Sequence, residues 1–522
     1  MLYVDKTTRV LKSRVQAARS AQRTENAPQI LVHSSPELSV HCMDPNIKKV
    51  RVAQGKEGLR PMPWWWSPLA CVVLVIFFGC FLVITLPVAV VSFLVNYTYR
   101  VLFPKSKEVF KVSRGLSDSP KGRVGVEWTK REFDIVLYGA TGFTGRIAAH
   151  YLATTYPLKL RWAVAGRNQR ALESLVKELG IPSVAVIVAE AQDSVALEAL
   201  VKRTRCVIST AGPFYTFSSE ILRQCAIWGT HWSDITGELD WAAIMRELHE
   251  DAAVSSGAII VSCCGHDSLP WDSVCFMLSQ ELIKKKDRLC SVEVFDDIVA
   301  APSGGTISTI CSIMDDLLTP RMKLTPKTGD SSLCRFVEKS AMWPRWSNSI
   351  NSWTAPFFMA PVNAKVVERS NVLLGYNKQQ LVYSESQVFP DFSSAFIATV
   401  ALAFGLLAMA IYPLRWMLLS LGMMPAPGQG PTDTQLDQGF LHITAIGQGE
   451  SGARVSAQFY FPNDAGYRDT ARMLVESGVL LSTKTPAIGR NGGFFTPSAA
   501  FGAEIVSRLC DTGSIFSLNS EK

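Results

Sequence analysis

Three glycines at equal spacing, Gly139, Gly142 and Gly145, stand in the run YGATGFTG. Residues of this type at this spacing handle phosphate. Gly139 lets the chain leave a strand in a tight turn. Gly142 removes a side chain where backbone must approach a pyrophosphate, and Gly145 lets the next helix lie close on a sheet. The N–H groups at the start of that helix then face the phosphates. Ala140, Thr141, Phe143 and Thr144 complete the turn and are expected contacts with the glycines. A plain structural turn is the blander alternative.

A second group decides which dinucleotide would fit. An NAD site places Asp or Glu after the second strand to hold the ribose 2′-OH. Here the sequence is Gly166-Arg167-Asn168, with Arg170 nearby. A guanidinium suits a 2′-phosphate and cannot accept from a hydroxyl. The expectation is therefore NADP(H), with NAD(H) less favoured; a solvated Arg167 is the alternative. Thr210, Ala211, Gly212 and Pro213 form another small-residue turn, placed where ligands bind in open α/β sheets. Proton chemistry would fall to Asp234, Glu238, His266 or Asp267, with Thr236 beside them, because all lie near carboxyl ends of predicted strands. His266 is expected to titrate near neutrality. A buried structural role is the alternative for each.

The elements that must position these groups are legible in outline. Ile135, Val136 and Leu137 make a short apolar run of the buried parallel-strand kind. A helix is predicted over 146–153 and a second strand over 160–165, completing one βαβ unit. Strands at 183–189, 206–210, 230–234 and 258–263 alternate with helices at 194–202, 219–228 and 241–254. After Gly265 the alternation ends. Strands at 291–300, 440–446 and 453–461, with helices at 307–318 and 467–481, describe a second, α+β domain, and a further helix follows at 498–509. The last of these helices is expected to pack back on the nucleotide-binding domain.

The chain has 522 residues, 48% hydrophobic and 19% charged, with a net charge of +7. This is apolar for a soluble enzyme. The basic balance suits an anionic lipid surface, and no nucleic-acid motif accompanies it. Twelve cysteines show no C-x-x-C pair and no zinc spacing, which fits a reducing compartment. Leu69–Val95 carries no charge and follows Trp64-Trp65-Trp66. It is long enough to span a bilayer, as a tilted span or as a hairpin broken near Pro87. Both flanks are basic and leave its orientation open. Ala395–Leu414 is a second uncharged stretch, followed by Arg415 and Trp416. It would span a membrane, lie in its interface, or be a core helix. Residues 1–63 read as a basic disordered tail, with a transit peptide as the alternative.

Taken together, YGATGFTG, AGR (165–167), TAGPF (210–214), THWSDITGE (230–238) and CGHDSLPWD (264–272) resemble the saccharopine dehydrogenase-like oxidoreductases, close to the trans-acting enoyl reductases. SGGT (303–306) and PAPGQGP (425–431) extend the resemblance, which covers about 133 to 510. The chain departs from the family pattern at Tyr215-Thr216, where Tyr-Gly is usual, and at His266, where Phe is usual. The resemblance implies an α/β fold, with a Rossmann NADP-binding domain and a second α+β domain interrupted by a membrane-associating helical segment; the N-terminal hydrophobic anchor is read from the sequence alone and falls outside the match. Expected boundaries are 64–103 for the anchor, 104–131 for a linker and 132–265 for the Rossmann domain. The substrate domain takes 266–391 and 439–485, the membrane-associating helices 392–424, and a C-terminal helix and tail 486–522. The implied activity is NADP(H)-dependent reduction of an enoyl or carbonyl group in a lipid. The alternatives are a non-catalytic lipid-droplet or membrane-surface protein that keeps the nucleotide fold, and a saccharopine-type amino-acid dehydrogenase. Expected partners are a lipid substrate, a membrane or lipid-droplet surface and a second copy in a homodimer, with the enzyme domain facing the cytosol.

Overall fold

The structure is a computed structural model that describes residues 128–157, 159–266, 268–300, 303–304, 306–307, 310–311, 335–422, 424–425, 429–483 and 492–520. The expected tail, the anchor and most of the linker lie outside the described residues, as does Asp267.

Strand β1 (Phe133–Tyr138) is buried at every position, as its apolar run requires. Helix α1 (Phe143–Thr155) leads to β2 (Trp162–Gly166), α2 (Gln169–Leu179), β3 (Ala185–Val188) and α3 (Ser194–Arg203). Next come β4 (Thr204–Ser209), the short α4 (Phe214–Phe217), α5 (Ser219–Trp228), β5 (His231–Asp234), α6 (Leu239–Ser256) and β6 (Ile259–Val261). The chain continues through α7 (Leu269–Lys284), β7 (Leu289–Val299), β8 (Arg335–Glu338), β9 (Arg345–Ser347), β10 (Ser352–Ala355), α8 (Ala360–Leu374) and β11 (Gln380–Phe389). Two apolar helices follow, α9 (Phe392–Ala410) and α10 (Tyr412–Ser420), then α11 (Asp433–Gln438), β12 (Phe440–Gly449) and β13 (Arg454–Phe461). A π-helical turn (Ala465–Asp469) opens α12 (Thr470–Thr483), and β14 (Gly493–Phe495), α13 (Pro497–Phe501), α14 (Ala503–Asp511) and β15 (Ile515–Ser520) complete the chain.

Seven strands form a parallel sheet in the order β14-β6-β5-β4-β1-β2-β3. The chain winds outward from β1 in one direction and from β4 in the other. The crevice between their carboxyl ends is the topological switch point, where open α/β sheets bind ligands. Alternate residues of β1 serve opposite faces. Val136 and Tyr138 join the core with α3, α5 and α6; Ile135 and Leu137 join the core with α1, α2 and α12. That second core runs on without interruption into the other sheet.

The second sheet is mixed, in the order β15-β13-β12-β7-β11-β10-β9, with β8 also paired to β11. Here β7 and β11 run parallel while β12, β13 and β15 pair antiparallel. Helix α7 crosses between the sheets, so Trp271 and Leu278 are fully buried.

Two features differ from the sequence expectation. Helix α12, grouped by sequence with the second domain, lies on the parallel sheet, with Gly478 against Ile208 and Ile135. Residues 470–482 are all buried, so no apolar stripe marks the face that docks. β14 extends the parallel sheet beside β6, although GFF reads in sequence only as a lead into a helix. The apolar stretch at 392–424 divides at Ile411, whose extended backbone separates α9 from α10, with Pro413 in the first turn of the latter. Helix α9 is long and apolar enough to cross a membrane by length and composition, and only 17% of it is buried.

Candidate active site

The glycine turn closes on itself through backbone bonds. Gly139 N–H and Ala140 N–H both donate to Ala165 O, at 3.0 and 3.3 Å, and Gly142 N–H donates to Gly139 O at 3.0 Å. Gly139 has φ +83°, in the left-handed region, and a Cβ there would come within 2.8 Å of Ala211 N. A Cβ at Gly145 would strike the Gly139 carbonyl oxygen. Helix α1 starts at Phe143 with Gly142 as its N-cap and no capping side chain. Its first turn is thus left to a ligand or solvent. Ala140 is fully buried beneath the turn, while Thr141, Gly142, Phe143 and Thr144 are half-buried at its surface.

The Thr210–Pro213 turn stands beside it. Thr210 N–H donates to Tyr138 O at 3.0 Å and Thr210 Oγ1 to Gly139 O at 3.1 Å, which joins the two turns across β1 and β4. Ser218 Oγ donates to Ala211 O at 3.0 Å, and Ser209 Oγ accepts Ala211 N–H at 3.3 Å. Sequence reasoning passed over both serines. Their position at the strand end and at the start of the next helix is the signal that could have found them.

The acidic candidates have defined places. Glu238 accepts Phe214 N–H at 2.9 Å and Tyr215 N–H at 3.1 Å, and so holds the chain just after Pro213. Asp234 accepts from Trp232 Nε1 (2.7 Å), Ser262 Oγ (2.8 Å), Thr236 N (3.0 Å) and Cys263 N (3.2 Å). Burial pushes its pKa up to about 6 against those four donors. It staples β5 to β6, and Glu238 sits one short turn further on. His266 is 6% exposed. Its N–H donates to Thr470 Oγ1 at 2.9 Å, its ring meets Trp271 at 5.0 Å, and Nδ1 has no partner. The expectation that it titrates near neutrality is corrected: burial pulls its pKa down to about 4, so the imidazole is neutral in the cell. Among the described residues no His/Cys/Asp/Glu group could hold a metal.

Arg167 is exposed at the carboxyl end of β2. With Asn168, Gln169, Arg170, Glu173 and Glu190 it lines an open groove of about 650 Å³, and its guanidinium lies 5.7 Å from the Phe217 ring centre. The groove carries two guanidinium groups, Arg167 and Arg170, and two carboxylates, Glu173 and Glu190.

Residues 135–261 match the family described as the saccharopine dehydrogenase NADP binding domain. A trans-acting enoyl reductase of Mycobacterium tuberculosis is 31% identical over 412 residues, covering 74% of this chain and 97% of that protein. The Mycobacterium leprae trans-acting enoyl reductase is 31% identical over 411 residues with the same coverage. This chain belongs to the saccharopine dehydrogenase-like oxidoreductases. Among solved structures, apo saccharopine dehydrogenase (L-Glu forming) from Saccharomyces cerevisiae is similar, with TM-score 0.42 and 14% identity over 74% of this chain and 99% of that one.

As a saccharopine dehydrogenase-like oxidoreductase the chain uses NADP(H), and its residues fit that cofactor. The cradle at Gly139 and Gly145 has no room for a Cβ, the α1 N-terminus lacks a side-chain cap, and Arg167 and Arg170 supply charge for the 2′-phosphate.

Proposed function

We propose that this saccharopine dehydrogenase-like protein is a membrane-associated, NADP(H)-dependent reductase of an enoyl or carbonyl group in a lipid, acting in lipid or glycolipid metabolism. The observation that carries the reading is α9, a 19-residue apolar helix that is only 17% buried in a chain that also holds the cofactor turn. Aromatic rings gather at its start: Trp353 meets Phe392 at 5.0 Å and Trp343 meets Phe396 at 5.9 Å. Trp343 and Trp416 are 60% and 63% exposed, as expected of tryptophans at a membrane interface. The names of the mycobacterial relatives support an enoyl group as the one reduced.

NADPH, when bound, supplies the hydride. The residues of the chain bind and orient it: the glycine turn at the pyrophosphate, Arg167 at the 2′-phosphate, and the Thr210–Pro213 turn, fixed by Glu238. Asp234 and Glu238 act as positioning groups in this reading, because their oxygens are engaged by the protein. His266 is a neutral group packed against Trp271 and Thr470. The membrane used is the cytosol-facing surface of a lipid droplet, the endoplasmic reticulum or the outer mitochondrion, tested by fractionation with protease protection.

The test of function is NADPH oxidation, followed at 340 nm, by the full-length protein with vesicles that carry a trans-2-enoyl lipid. Oxidation that needs the lipid is the expected result. Turnover of a water-soluble amino acid instead, or NADPH binding with no oxidation by any lipid extract, would overturn the reading.

A further inference from the structure

The phosphate turn has a support from outside the parallel sheet. Phe143, the first residue of α1, is half-buried, and its ring meets Tyr467 edge-on, with centroids 5.1 Å apart and planes at 86°. Gly430 packs on the same ring, so closely that a Cβ there would fall inside it. Tyr467 is 4% exposed and held at several points. Its N–H donates to Asp464 Oδ2 at 2.7 Å, its hydroxyl accepts Ser303 N–H, and it shares a hydrogen bond with Thr306 Oγ1 at 2.9 Å. Gly304 N–H donates to Gln429 O at 3.0 Å. Ser303, Thr306, Gly430 and the 465–469 turn therefore converge on the Phe143–Tyr467 ring pair beside the glycine turn. Tyr467 is carried on a π-helical turn, a feature that recurs at functional sites because the extra residue redirects a side chain.

We propose that Tyr467 is a cofactor-positioning residue. Its ring braces Phe143 and so sets the angle at which the α1 N-terminus meets the pyrophosphate. Its hydroxyl ties Ser303 and Thr306 to the same point. The brace acts on the pyrophosphate end of the cofactor and leaves the 2′-phosphate end to Arg167. Any ligand with a pyrophosphate feels it equally; a ligand with only the 2′-phosphate does not.

Full-length protein titrated with NADPH, NADH and 2′-AMP tests this. Tyr467→Ala is expected to weaken NADPH and NADH by a common factor of about tenfold and to leave 2′-AMP unchanged. Tyr467→Phe keeps the ring and restores both dinucleotides to within about threefold, but the Ser303 amide, which donates to the tyrosine hydroxyl, exchanges faster. Unchanged dinucleotide affinity in Tyr467→Ala overturns the proposal. So does a parallel loss of 2′-AMP, which would mark a general structural role. Should Tyr467→Ala fail to fold, Gly430→Ala displaces the Phe143 ring independently and must give the same pattern; wild-type affinities there overturn it equally. The inference rests on the cofactor and not on the lipid: the Tyr467 pattern without lipid-dependent oxidation would refute the lipid reading alone.

Discussion

Asp234 and Asp296 are both fully buried, on strands of different sheets, and the protein treats them in opposite ways. Four donors surround the Asp234 carboxylate, drawn from β5 and from the residues just after β5 and β6. Asp296 on β7 receives one, from Trp271 Nε1 at 2.8 Å, and its Oδ2 has no protein donor. It faces Glu385 on the adjacent β11, which already accepts from Asn363 Nδ2 at 2.7 Å and Tyr383 O–H at 2.5 Å. Burial, then the charge of Glu385, drives the Asp296 pKa well up, and burial raises Glu385 as well. A proton on Asp296 Oδ2 would donate to Glu385 and resolve the pair. The parallel sheet thus keeps its carboxylate with hydrogen-bond donors from neighbouring chain, whereas the mixed sheet uses a shared proton. The first arrangement orders the turns of a binding site; the second stabilises a core in a pH-dependent way.

The strongest way to break the first region is at Gly145. Because the turn is made of backbone, a side chain there cannot be accommodated by a rotamer change. Gly145→Val is expected to remove measurable NADPH binding in a fluorescence titration, a loss beyond ~100-fold or about 3 kcal/mol, while the mixed sheet keeps its fold. Wild-type affinity would mean that the phosphates lie elsewhere.

Asp234→Asn tests the donor set itself. An amide nitrogen at the Oδ2 position would face both Trp232 Nε1–H and Ser262 O–H; the serine can turn to accept, and the indole N–H would lose its acceptor. The expected cost is ~2–3 kcal/mol, read as a lowered midpoint in urea unfolding. A neutral result would mean that the staple from β5 to β6 is incidental.

Arg167→Ala sharpens the cofactor assignment. NADPH should weaken by roughly 30-fold, about 2 kcal/mol, and NADH should hardly change. Equal weakening of both would place Arg167 outside the 2′-phosphate site.

What sequence could show follows the same contrast. The glycine turn and the paired small-residue turn were legible because strand, turn and helix lie within one short stretch. Asp234 and Glu238 stood out by type and place, but their work as acceptors depends on N–H groups that only the folded turn aims at them. Tyr467 read as the start of an ordinary helix, since a π-turn breaks the helical period, and its partner Phe143 is hundreds of residues away. Asp296 and Glu385 meet only when β7 and β11 pair. A helix buried all round, such as α12, carries no stripe to say which sheet it covers.

The smallest effect is expected at Glu385, and its sign depends on pH. Glu385 is pushed up to about 7 by burial, above the usual carboxylate range. The folded state therefore holds more protons than the unfolded state between that range and neutrality. The stability this contributes is fully present at low pH and is lost as pH rises through about 7. In Glu385→Gln the amide oxygen can accept from Asn363, and the amide nitrogen takes the place of the oxygen that accepts Tyr383 O–H, so that hydroxyl must turn to accept from it. The variant should lie within ~1 kcal/mol of wild type at pH 5. Relative to wild type it should gain on the order of 2 kcal/mol by pH 8, measured by urea unfolding at both pH values. A difference that does not move with pH would mean that Glu385 takes up no proton on folding, and the contrast between the two sheets would reduce to one of packing.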